Sequence, residues 1–237
     1  MSKFYQFLVI FLSITSCTQK TEQPCDNDFI RGNNYILSSD FKNARKEFDN
    51  SIKKDPQNAN AYYGIATVAS IEGKYDEATE NYSQAIKLDK KFTLSYIGRG
   101  SNYYTIGDLD KATEDFLKVV ELKPDLSPAY LFLGNIKSQK AEFEAAIDYF
   151  DKSLEYEPNN PTTYFSKAMC QSYLNKYEDA ISSLTKSIEL NPKYGMAYFY
   201  RGTFNYQLNN KEEACRDLKK SEELGIKAQP SMDEYCK

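Results

Sequence analysis

Small and large apolar residues recur along this chain at a strict spacing of 34 residues. Ala44, Ala78, Ala112, Ala146, Ala180 and Ala214 form one column without a miss. Twelve residues before each stands Gly32, Ala66, Gly100, Gly134, Ala168 or Gly202. Four residues earlier again come Tyr62, Tyr96, Tyr130, Tyr164 and Tyr198, with Asp28 as the exception. Four residues after the Ala column lie Phe48, Tyr82, Phe116, Phe150, Leu184 and Leu218. Count the Gly/Ala column as position 8 and the Ala column as position 20. Positions 4, 8 and 11 then share one helical face, and positions 20, 24 and 27 share a face of a second helix. Each unit is therefore two short helices, with small residues where the axes approach and large rings beside that contact.

The breaks between helices carry the expected residues. Gly73, Gly107, Asn175 and Asn209 tolerate the left-handed conformation that ends a first helix. Pro56, Pro124, Pro158 and Pro192 stop the second helix, while Ser127-Pro128 and Asn160-Pro161 read as a cap and a first-turn Pro for the next unit. Helices this short are marginal alone in water, so each must be held by its neighbours.

These columns resemble the tetratricopeptide repeat: aromatic at 4, Gly or Ala at 8, Ala at 20, aromatic at 24, Pro at 32. The YxRG form of its first helix is present as YIGRG at Tyr96–Gly100 and YFYRG at Tyr198–Gly202. The resemblance implies an all-α fold, an α-solenoid wound as a right-handed superhelix of six 34-residue helix-turn-helix units. Their expected bounds are 25–58, 59–92, 93–126, 127–160, 161–194 and 195–228, followed by a C-terminal cap over 229–237. Asp28 at position 4 leaves the first helix of the first unit less well specified.

The N-terminus has another character. Lys3 precedes an apolar run from Phe7 to Leu12, which is far shorter than the ~20 residues of a membrane-spanning helix and fits a secretory signal. The run ends in Ile14, Thr15, Ser16 and Cys17, which resembles the lipobox of bacterial lipoproteins, whose Cys becomes the lipidated first residue. Residues 1–16 are then a lipoprotein signal peptide, and 17–24 the lipidated Cys and a polar tether. The competing reading is an ordinary signal peptide cut nearby. In the lipobox reading the protein is expected in the bacterial cell envelope, lipid-anchored at the outer membrane or periplasmic face rather than secreted, with the anchor as its only membrane contact.

Composition narrows the function. The chain of 237 residues has 30 basic and 34 acidic side chains, a formal net charge of −4, and no basic run, which argues against nucleic acid. It has no His, so the commonest general base and metal ligand are both missing. No phosphate loop, nucleophile dyad or Ca²⁺ loop is found, and no enzyme activity, cofactor or metal is expected. Of the five Cys, Cys170 reads as core filler, while Cys215 and Cys236 could form a bridge pinning the C-terminal cap; two unpaired thiols are the alternative. Cys25 has no evident partner.

In tetratricopeptide arrays the first helices line the concave surface, chiefly through positions 2, 5, 9, 12 and 13. Position 5 here is Phe29, Tyr63, Ile97, Leu131, Phe165 and Phe199. Asn33 and Asn135 stand at position 9, and Tyr104 and Tyr206 at position 12. An exposed apolar column of that size would call for a partner. Against this, each ring could simply pack between neighbouring first helices. The function expected is a non-enzymatic scaffold, binding a protein or peptide segment in a concave aromatic groove; the alternative is a glycan or small-molecule receptor using the same groove.

Overall fold

The computed structural model describes residues 27–226 and Cys236. The signal peptide, Cys17, the tether, Cys25 and most of the C-terminal cap lie outside the described residues. The described chain forms twelve α-helices: α1 Asn27–Leu37, α2 Phe41–Lys54, α3 Ala59–Ile71, α4 Tyr75–Leu88, α5 Thr93–Ile106, α6 Leu109–Leu122, α7 Ser127–Gln139, α8 Phe143–Tyr156, α9 Pro161–Tyr173, α10 Tyr177–Leu190, α11 Gly195–Gln207 and α12 Lys211–Glu223. They fall into two compact units that divide between Pro124 and Asp125, with α1–α6 in the first and α7–α12 in the second. Within each unit every odd-numbered helix packs on the even-numbered helix that follows it, and each pair packs on the next.

The pairing follows from the small columns. All six alanines of position 20 are fully buried, as are Phe48, Phe116, Phe150, Leu184 and Leu218 at position 24. Gly134 shows why position 8 must stay small: a Cβ added there would lie 2.6 Å from Cε1 of Phe150. Position 27 adds a polar tie, which the second unit shows plainly. The Ser187 hydroxyl donates to the carbonyl of Pro161, and Ser153 Oγ lies 2.9 Å from Ser127 Oγ, each joining the end of a second helix to the start of its own first helix.

Asp28 proves compatible with a first helix. Its buried carboxylate takes the place of the missing ring and is paired by Arg31 and by Lys54, the latter at 2.5 Å. The contact with Lys54, and then Arg31, holds the Asp28 carboxyl below the usual carboxylate range. The N-caps correct one expectation. Asn160 does cap α9, accepting from the amides of Thr162 and Thr163. Ser127 is instead the first residue of α7, and its hydroxyl is already engaged with Ser153 and Glu157.

Left-handed residues end the first helices at Gly73, Gly107, Asn175 and Asn209, and also at Ser39 and Ala141. Ala141 has φ +59° with no side-chain group to offset the clash of its Cβ. Ala141→Gly is therefore expected to raise stability by about 1 kcal/mol in urea unfolding, because glycine occupies that region without penalty. A loss of stability would mean that the left-handed turn is not held in solution.

Candidate partner-binding face

The first helices are built from runs with almost no charge, and packing on their neighbours holds them helical. The thirteen residues of α3, ANAYYGIATVASI, carry none, and the other five helices of this class carry one or two charged side chains each. Every cation on them is neutralised. In α5, Arg99 makes two hydrogen bonds to Asp115, at 2.9 and 2.7 Å, and a third to Ser83 at 2.8 Å. Arg201 in α11 repeats this with Asp217, at 2.7 and 2.8 Å, and with Thr185. Each guanidinium thus joins the second helix of its own pair to that of the preceding pair, and each lies against a position-4 ring, Tyr96 or Tyr198. Hydrogen bonds to the carboxylates push both Arg side chains further toward the charged form. Burial lifts the Asp115 carboxyl above the usual carboxylate range against the pull of Arg99. Arg31 pairs with Glu47 and Asp28, Lys137 with Glu142, and Lys167 with Asp151.

The position-5 column is not the open apolar stripe expected. Phe29, Tyr63, Ile97 and Leu131 are buried, with exposures of 3, 2, 7 and 7 %. Phe29 packs on Phe48, with ring centroids 5.8 Å apart. Tyr63 lies between Tyr82, at 5.8 Å, and Phe92, at 5.3 Å. Leu131 packs in a cluster with Ala146, Phe150 and Cys170. Phe29, Tyr63 and Leu131 thus pack on the second helix of their own pair, and Tyr63 also on the residue that enters the next pair. Burial drives the Tyr63 hydroxyl well above its ordinary range, as befits a core ring.

Some hydroxyls at positions 9 and 12 of the first helices are engaged within the protein. The Thr67 hydroxyl donates to the Tyr63 carbonyl, Ser70 is bonded to Asn102, and Ser138 accepts from the buried Cys170 thiol. Burial raises that thiol above its ordinary range, in keeping with a core role.

What remains accessible lies mainly in the second unit. Phe165 and Phe199 are half-buried, as are Asn135, Met169, Thr203 and Tyr206. Phe165 sits 5.0 Å from Tyr194 and 5.7 Å, edge-on, from Tyr200; Phe199 approaches Tyr200 at 5.3 Å. The sequence reading passed over Tyr194 and Tyr200. Tyr194 ends its unit where Phe92 ends an earlier one, and that shared place is the signal that could have exposed both as ring partners. In the first unit Asn33 and Tyr104 are half-buried. Cys215 and Cys236 are joined by a disulfide, with Cα atoms 5.1 Å apart across 21 residues.

The face offers ring edges, amides and hydroxyls with no unpaired cation, which suits recognition better than acid–base chemistry. Among the described residues no group of three or more His, Cys, Asp or Glu side chains is placed to hold a metal, and no helix is long and apolar enough to cross a membrane.

Comparison with known proteins agrees with this architecture. A family model described as tetratricopeptide repeat matches residues 47–80 and 149–182, and a second model of the same description matches 94–126 and 127–160. No curated protein matches the chain. Among solved structures, the chain is similar to YrrB, described as a TPR protein with an unusual peptide-binding site: 20% identity, 80% of this chain and 96% of that one covered, TM-score 0.67. It is also similar to Pseudomonas aeruginosa pilF, with 18% identity, 88% and 95% covered and TM-score 0.76, and to MamA, with 24% identity, 68% and 94% covered and TM-score 0.65. At these identities the structures speak for the fold alone, whereas the matched segments together span more than half of the chain, which belongs to the tetratricopeptide repeat family.

Proposed function

We propose that this protein is a non-enzymatic binding scaffold, anchored in the bacterial cell envelope through a lipid on Cys17. It holds a protein or peptide segment against the first helices of the second unit. The observation that carries the reading is the half-buried group Phe165, Met169 and Phe199 on helices whose cations are all paired. The peptide-binding site of the similar YrrB structure supports the same class of ligand. A face without free charge suits a segment that is itself uncharged where it docks. Its affinity should then barely follow ionic strength, since salt acts on unpaired exposed charges.

Capture of envelope proteins by the parent and by Phe165→Ser with Phe199→Ser tests this. Each change should weaken capture about tenfold, or ~1.4 kcal/mol, as buried ring anchors do. Thr203→Lys places a charge on the same face without removing a ring and should also weaken capture. Lys118→Ser with Lys186→Ser, on second helices, should leave it unchanged. Full capture by a folded Phe165→Ser, Phe199→Ser protein would remove this face as the site. Capture of cell-wall glycan in place of protein would favour the receptor alternative.

A further inference from the structure

The six second helices differ in charge. Helix α2, FKNARKEFDNSIKK, has five basic and two acidic side chains. The other five second helices all carry more acidic than basic groups. Two of the five cations on α2 are engaged: Arg45 with Glu72 and Glu77, and Lys54 with Asp28. Lys42, Lys46 and Lys53 are exposed and form no ion pair with any other described residue. At 100° per residue these three fall within ~40° of arc around the helix, with Asp49 as the one acidic residue sharing that face. The result is a basic outer face on the helix pair next to the N-terminus, in a chain whose formal net charge is −4.

We propose that this face of α2 docks on anionic phospholipid headgroups of the membrane that holds the N-terminus. The inference rests on the lipid-anchor reading, which supplies the geometric argument. Nine residues separate lipidated Cys17 from α1, and the ten residue steps from Cys17 to Asn27 reach at most about 35 Å. The first helix pair is thereby confined near the bilayer surface, and α2 is the one second helix with the charge to meet it. Lysines near an anionic surface add to one another, and their attraction fades within a Debye length.

The test uses the mature chain from residue 17 onward with Cys17→Ser, so that neither the apolar signal segment nor an acyl chain contributes, and vesicles of phosphatidylcholine with or without phosphatidylglycerol. Binding should appear on the anionic vesicles at low salt and disappear at about 0.5 M NaCl, where the screening length is ~4 Å. Lys42→Glu with Lys46→Glu and Lys53→Glu should lower partitioning about tenfold or more. Reversal of Lys152, Lys186 and Lys211 to Glu changes net charge equally and should have little effect. The parent and the two charge-reversal variants must give matching circular dichroism, which excludes unfolding as the cause. Equal binding to neutral and anionic vesicles, or undiminished binding by the α2 variant, would overturn the proposal. So would retention on heparin with no binding to vesicles, which would indicate a different acidic partner. Failure of the anchor reads separately: an unacylated Cys17 in the mass spectrum of the native protein removes the tether but leaves vesicle binding by α2 in place.

Discussion

Phe150→Ala should lower the stability of the second unit by about 4 kcal/mol, close to the upper end for a ring removed from a core. Phe150 is fully buried, and its ring fills the notch that Gly134 leaves between α7 and α8. Neither helix can close the void without moving Ala146, which is itself fully buried at the closest approach of the pair. The reciprocal change, Gly134→Ala, drives a methyl toward the same ring and should cost about 1–3 kcal/mol by overpacking. Combining Gly134→Ala with Phe150→Leu should recover part of both losses, because the smaller side chain vacates space the methyl needs. Urea unfolding of the parent, Gly134→Ala, Phe150→Leu and the double variant closes the cycle and measures the coupling. Strictly additive losses would show that the two residues do not meet.

Asp115→Ala should cost about 3 kcal/mol, the low end for stranding a buried partner, because the Arg99 side chain keeps some contact with solvent. The loss exceeds that of a surface ion pair because Arg99 also carries the hydrogen bond to Ser83, so the change loosens two second helices at once. Replacing both partners, Arg99→Met with Asp115→Leu, should return much of the stability, since the desolvation of two charges is then no longer required. Arg201 and Asp217 should behave alike in the second unit. If Asp115→Ala and the double variant are equally unstable, the pair acts through packing volume rather than charge.

How legible was all this in the residues? Positions 8, 20 and 24 could be assigned because a strict spacing of 34 residues leaves few ways to bury Gly, Ala and a ring together, and each falls in the core. Position 5 misled. An apolar residue there shows that something covers it, but periodicity does not say whether a partner or the protein's own next helix does so. Tyr63 is covered by Tyr82 and by Phe92, the last residue of its own unit, and Phe165 is approached in the same way by Tyr194. The Arg–Asp clamps were visible as a fixed sixteen-residue spacing, Arg99 to Asp115 and Arg201 to Asp217, yet i,i+4 logic within single helices does not find them, because they join one helix to the next. Ala141 carries no turn signal at all. Its left-handed backbone is imposed by the packing of α7 on α8, where the repeat demands a turn of fixed length.

The most direct measurement places a photoreactive side chain at Phe199 or, in a second protein, at Lys118 on α6, and irradiates intact cells. Phe199 should yield a discrete crosslinked protein whose amount is unchanged by added salt, and Lys118 should yield none. Crosslinking from Lys118 with nothing captured at Phe199 would contradict binding at the first helices of the second unit.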